Sequence, residues 1–223
     1  MELQAMEINP EMLNKVMDKV GVLDSWKFVD VLSLEEGLLS SVPTPVCAVL
    51  LLFPPTKQHE NFREKQISEL KDKEVNSKVY FLKQTIGNSC GTVGLIHAVA
   101  NNKEKLSFAE KSVLKDFLEE SSGLKPDERA SLLEKNKAIQ SAHNSVAAEG
   151  QCRVNDELNF HFILFTAVDG SLYELDGKLP FPISHGTTSE DSLLKDVAKI
   201  CRQFTEREKG EVRFSAVALS KSG

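Results

Sequence analysis

Cysteine is scarce in these 223 residues. Only Cys47, Cys90, Cys152 and Cys201 occur, and no two form a Cys-X-X-Cys pair. That excludes the usual ligand spacing of a structural zinc site. A secretory leader is also missing: the first ten residues carry Glu2 and Glu7 and lack a basic start followed by an apolar stretch. A chain of this kind is expected in a reducing compartment, with free thiols rather than disulfides. The longest apolar run, Val46–Phe53, is too short to span a bilayer. Ser220 stands fourth from the end where a prenylation box needs cysteine. The cytoplasm is the expected location, with no stable membrane anchor. Positive charge is in deficit, 27 Lys+Arg against 33 Asp+Glu, a net charge of −6. Without a basic block or Arg-rich stripe, nucleic acid is not an expected partner. The balance favours a basic ligand instead.

What is present suits a folded protein. A hydrophobic share of 41% can build a core, and 27% charged residues is ordinary, which excludes a disordered chain. The length suits one domain, residues 1–223, with a monomer as the default and the oligomeric state otherwise open.

Asn9-Pro10-Glu11 opens a helix that Gly21 ends: a capping Asn, Pro at the first helical position, and an acid at the positive end. Val46–Phe53 reads as a buried strand stopped by Pro54-Pro55. Residues 79–84 read as another strand. Charged residues 58–73 read as an exposed helix, and 90–102 as an apolar one. Further helices are expected over 107–121, 126–148 and from Ser189 to about Glu208. Residues 159–168 and 172–176 form a hairpin about Asp169-Gly170, a strong two-residue turn signal. A last strand covers 211–220, and 33–45 is a loop. Mixed elements with an antiparallel hairpin give an α+β class.

Gln84-Thr85-Ile86-Gly87-Asn88-Ser89-Cys90-Gly91-Thr92 carries the chemistry. A polar loop runs into an apolar helix with a thiol at the junction. The unpaired N–H groups of a helix start favour thiolate, the nucleophilic form. Gly91 and Gly94 are expected to let the helix lie close against neighbouring backbone. The Gln84 amide and the Cys90 N–H could together form an oxyanion hole. A buried structural thiol is the alternative for Cys90. Cys47 and Cys201 lie in apolar periodic segments and read as core, and Cys152 lies in a polar loop.

Five histidines compete as base. His97 shares the helix of Cys90, but seven residues of rise separate them by about 10 Å, too far for a hydrogen bond. It reads as a packed histidine. His59 and His143 fall in charged helical segments and are expected at the surface. His185 sits in a loop with no evident orienter. His161 interrupts Phe160-His161-Phe162-Ile163-Leu164-Phe165, an otherwise apolar strand, and needs a partner there. With Asp169-Gly170 as turn, Val168 pairs with Ser171, and Asp176 becomes the diagonal neighbour of His161. A satisfied core His–Asp pair is the bland alternative. Taken together, Cys90, His161, Asp176 and Gln84 supply nucleophile, base, orienter and oxyanion donor.

These residues are the point of contact with a known family. The segments 84–92, 95–102, 159–163, 172–177, 6–11 and 211–219 resemble those of the ubiquitin C-terminal hydrolases, a family of cysteine peptidases, and of its short members most closely. The resemblance implies a papain-like fold, with a central antiparallel sheet between helical layers and a knotted backbone. It implies thiol-dependent hydrolysis at the C-terminal glycine of ubiquitin, releasing small or unstructured leaving groups. It implies ubiquitin as partner, with neither metal nor organic cofactor. It assigns Gln84, Cys90, His161 and Asp176 the four roles above. The loop Glu149, Gly150, Gln151, Cys152, Arg153, Val154, Asn155, Asp156, Glu157 and Leu158 matches the crossover loop that gates substrate access. Some relatives have a Cys near the tail where this chain has Ser220, so lipid anchoring does not carry over. A monoubiquitin-binding protein with slow turnover is the alternative function, and a redox-sensing thiol at Cys90 or Cys152 is a third.

Overall fold

A computed structural model describes residues 1–150, 160–208, 210 and 213–222. Within these residues, six strands form one sheet: β1 (Trp26–Val31), β2 (Val46–Phe53), β3 (His161–Val168), β4 (Ser171–Leu175), β5 (Ile183–Thr187) and β6 (Ser215–Lys221). Their order is β1-β6-β2-β3-β4-β5, and every neighbouring pair is antiparallel. Among the described residues, seven helices flank it: α1 (Pro10–Lys19), α2 (Lys57–Leu70), α3 (Cys90–Ala100), α4 (Val113–Ser121), α5 (Pro126–Lys135), α6 (Lys137–Ala147) and α7 (Leu193–Arg207). The architecture is α+β and papain-like.

The period of two along the strands divides the interior into two cores. Leu50, Phe162, Leu164, Val217 and Leu219 face the core that holds α1, α3 and α4. Val49, Leu51, Phe53, Ile163, Phe165 and Ala218 face the core that holds α7. This explains why β2 and β3 read as continuous apolar runs: both of their faces are covered. Each fully buried Leu, Ile or Phe contributes on the order of 1.5–3 kcal/mol through lost contact with water.

Local signals place the elements. The Asn9 side chain accepts from Met12 N–H at 2.9 Å and Pro10 begins α1. Gly21 leaves that helix at φ 87°, a left-handed conformation that glycine adopts without strain. Asp169 and Gly170, at φ 51° and 73°, make the tight turn between β3 and β4. The expected helix over 126–148 is two helices. Asn136 closes α5 and caps α6, its side chain accepting from Ile139 N–H at 2.9 Å. The loop at 33–45 contains a 3-10 turn, Glu36–Ser41.

The largest departure is at residues 79–84: Val79 lies in a bend, and the extended residues 80–84 belong to no strand among the described residues. Side chains of α3 meet that backbone where a neighbouring strand would. Among the described residues, no helix is long and apolar enough to cross a membrane.

Candidate active site

Cys90 is the first residue of α3. Asn88 precedes it at φ 61°, a conformation Asn tolerates better than most residues, and so turns the chain sharply into the helix. Ser89 Oγ donates to Ile86 O at 2.6 Å and does not cap the helix. The N-terminal segment braces this loop: Leu3 N–H donates to Gly87 O at 2.9 Å, and Asn88 Nδ2 donates to Leu3 O at 3.0 Å. Gly91 and Gly94 do allow close approach, but to side chains rather than backbone. A Cβ on Gly91 would lie 2.3 Å from Ile8 Cδ1, and one on Gly94 would lie 2.8 Å from Leu50 Cδ2.

The Cys90 sulfur rests against the start of β3, with Phe160 O at 4.0 Å. Burial pushes its thiol up to about 11, against the opposing pull of the Lys178 charge and the Gly91 and Phe162 N–H groups. The helix start alone therefore does not ionise the thiol, because desolvation is the larger effect.

The hairpin has the register that its turn implies. Val168 faces Ser171 and Leu164 faces Leu175, so the strands end with His161 and Asp176 on one diagonal. His161 Nε2 donates to Asp176 Oδ1 at 2.6 Å, and both residues are buried. This bond leaves Nδ1 with its lone pair, and Nδ1 has no hydrogen-bond partner among the described residues. Asp176 Oδ1 also accepts from Lys178 N–H at 3.0 Å, and Oδ2 lies 3.4 Å from an Arg63 guanidinium nitrogen. Burial alone would raise the Asp176 carboxyl, but His161 and then Arg63 outweigh it and hold it well below the usual carboxylate range.

Gln84 lies half-buried in the extended segment. Its N–H donates to Gly177 O at 2.8 Å, and its Nε2 lies 3.5 Å from Ile86 O. The oxyanion candidate is thus tied to the residue after Asp176. Glu149 and Gly150 follow α6, where Glu149 pairs with Lys15 at 2.8 Å. Gln151 to Leu158, including Cys152, lie outside the described residues. Cys47, Cys90 and Cys201 are free, with Cys47 and Cys201 in the core.

The other histidines divide. His97 is fully buried and bonded to Leu82, as a packed histidine should be. The surface expectation fails for His59 and His143. His59 packs edge-on to Phe53 with ring centres 4.5 Å apart, and burial and the Arg63 charge push it down to about 4. His143 is buried between Thr92 Oγ1 at 2.7 Å and Gln4 O at 2.8 Å. His185 does have a partner: Nε2 lies 2.8 Å from Glu174 Oε1.

That contact belongs to a buried network. Glu174 pairs with both His185 and Arg63, and Arg63 also reaches Asp176. Burial would raise the Glu174 carboxyl, but Arg63 and His185 outweigh it and lower it. Neither Arg63 nor Glu174 stood out from the sequence. Glu174 was findable, because the same register puts it opposite Phe165, deep in the sheet. Arg63, in a helix that reads as exposed, gave no such signal. Among the described residues, no three His, Cys, Asp or Glu side chains are grouped to hold a metal ion.

Comparison with known proteins points the same way as this geometry. Ubiquitin carboxyl-terminal hydrolase isozyme L1 of Rattus norvegicus is 69% identical over 222 residues, and that of Homo sapiens is 68% identical over 222, each match covering 100% of both chains. A solved structure, the catalytic domain of Trichinella spiralis UCH37 bound to ubiquitin vinyl methyl ester, has the same fold. Its TM-score is 0.80 at 22% identity, with 100% of this chain and 97% of that chain covered. Residues 3–206 match the profile of ubiquitin carboxyl-terminal hydrolase, family 1. A cysteine heading an apolar helix beside a buried His–Asp pair, carried on this sheet and within this match, means that the chain belongs to family 1 of the ubiquitin carboxyl-terminal hydrolases.

Proposed function

We propose that residues 1–223 form a single catalytic domain that hydrolyses ester, thioester, amide or peptide bonds at the C-terminal glycine of ubiquitin. The observation that carries this reading is the His161–Asp176 bond of 2.6 Å, with His161 Nδ1, unpartnered among the described residues, beside the strand start that Cys90 Sγ also touches. Asp176 orients the imidazole. His161 Nδ1 takes the proton of Cys90, and the thiolate attacks the glycine carbonyl carbon. Gln84 Nε2 and the Cys90 N–H stabilise the tetrahedral oxyanion. The imidazolium protonates the leaving group as the thioester forms. Water, deprotonated by His161, then hydrolyses the thioester and restores the thiol. The loop 149–158 gates the site, restricting it to small or unstructured leaving groups. Free thiols at the three described cysteines support a cytoplasmic location.

One observation favours the second reading, a ubiquitin-binding protein with slow turnover. The thiol stands at about 11 and Nδ1 has no partner among the described residues, so the proton transfer is not set up in the free chain. A displacement of about 1 Å costs on the order of a hundredfold in rate. The test pairs wild type with Cys90→Ser, following hydrolysis of a ubiquitin C-terminal fluorogenic amide and ubiquitin binding by calorimetry. The hydrolase reading expects both to bind and only wild type to cleave. Tight binding without cleavage by either favours the binding role.

A further inference from the structure

A buried extended segment must pair its N–H and C=O groups. Residues 80–84 have no neighbouring strand among the described residues, and the C-terminal end of α3 replaces one. Asn101, just past its last turn, makes a two-pronged bond to Tyr80: Tyr80 N–H donates to Oδ1 at 2.8 Å, and Nδ2 donates to Tyr80 O at 3.0 Å. One turn earlier, His97 Nε2 lies 3.1 Å from Leu82 N and 3.2 Å from Leu82 O. The spacings agree: four helical residues rise about 6 Å, and two extended residues advance about 6.6 Å. The helix and the segment therefore run antiparallel as a ladder whose rungs are side chains.

The next rung is Gln84, and the helix residue one turn before His97 is Val93, which cannot pair. Gly177 takes its place, accepting from Gln84 N–H at 2.8 Å. The fit is tight: a Cβ on Gly177 would lie 2.9 Å from Gln84 Cβ and 3.2 Å from Val93 Cγ1. Cys90 begins the same helix.

We propose that His97 and Asn101 are positioning residues for Gln84: α3 carries both the nucleophile and the ruler that sets the oxyanion donor against it. This rests on the hydrolase reading above. Neither residue touches substrate. Each acts by holding the backbone that carries the Gln84 amide.

The test uses the full chain and the ubiquitin fluorogenic amide, with alkylation of Cys90 by iodoacetamide as a second readout that builds no oxyanion. Asn101→Ala and His97→Ala should each lower kcat on the order of tenfold. KM and the alkylation rate should stay within about twofold of wild type, since substrate contacts and the thiol are untouched. His97→Gln, whose amide can both accept from Leu82 N–H and donate to its carbonyl, should recover most of kcat. In a Gln84→Ala background, Asn101→Ala should cost nothing further, because the donor it places is gone. The inference is overturned if Asn101→Ala costs as much in that background as in wild type, or if alkylation falls in step with kcat. If the alanine variants unfold, His97→Gln decides: retained kcat supports the ruler, and lost kcat at an unchanged melting temperature overturns it. If wild type itself releases no fluorophore, the hydrolase reading fails and takes this inference with it. An active wild type with an additive cycle removes the ruler alone.

Discussion

Cys90 starts from an unfavourable protonation state. A thiol raised to about 11 by burial is ionised in about one molecule in ten thousand at pH 7. Only a proton acceptor brought to the sulfur changes that, and His161 Nδ1, without a hydrogen-bond partner among the described residues, is the group available. In the free chain, the rate of Cys90 alkylation by iodoacetamide should therefore rise about tenfold per pH unit from pH 7 to 10. Peptide mass spectrometry of the labelled residue gives that profile. A plateau near pH 8 would mean that the thiolate is already formed before any ubiquitin binds. Cys47, raised by burial to about 12, and Cys201, raised further, should label more slowly throughout.

The active site is assembled where elements meet, and its glycines show how closely. A side chain at Gly91 meets the terminal methyl of Ile8, which can rotate away, and more loosely the end of the Met6 side chain. A side chain at Gly177 meets the Cβ and backbone nitrogen of Gln84. Gly91→Ala should keep kcat within about threefold of wild type, while Gly177→Ala should lower it by roughly ten- to a hundredfold. Steady-state hydrolysis of the fluorogenic amide separates the two, and equal losses would contradict the contact geometry. The same scale shows what was readable beforehand. The Asp169-Gly170 turn sets the hairpin register, and the register brings His161 to Asp176, so this pair was legible from turn chemistry alone. The helix start at Cys90 was legible from its loop. The edge strand β5 was not, because Ile183–Thr187 contains no apolar run and an edge strand needs only one neighbour. Residues 79–84 have strand-like composition but find their partners on a helix, which periodicity does not encode. The burial of His59 depends on Phe53, six residues before it, and on Phe204, far away in the sequence, and a charged helix gave no sign of that packing.

Across the whole molecule, several titratable groups are buried, and they respond to acid in two stages. His59 and His97 both stand at about 4, and His143 is lowered as well, in each case chiefly by burial. Their folded values lie below the unfolded value of 6.5, so the unfolded chain takes up protons first as pH falls. For His59 and His97 the contribution is complete above about pH 6.5 and is lost towards pH 4, with a slope of about 1.4 kcal/mol per pH unit for each. Asp176 and Glu174 are depressed carboxyls, so their contribution persists until pH falls below about 4. Urea unfolding between pH 7 and 4 should show a decline steeper than one proton, and His97→Gln should reduce it. A flat profile would contradict the buried, neutral histidines.

The central claim is that Cys90 is a nucleophile brought into action on ubiquitin by His161. It is tested most directly by mixing the chain with ubiquitin vinyl methyl ester and locating the covalent bond by mass spectrometry. The account predicts a single ubiquitin adduct on Cys90, formed faster than iodoacetamide alkylates that residue in the free chain, and lost in both Cys90→Ser and His161→Ala. An adduct on Cys152, or no adduct while ubiquitin still binds, would contradict it.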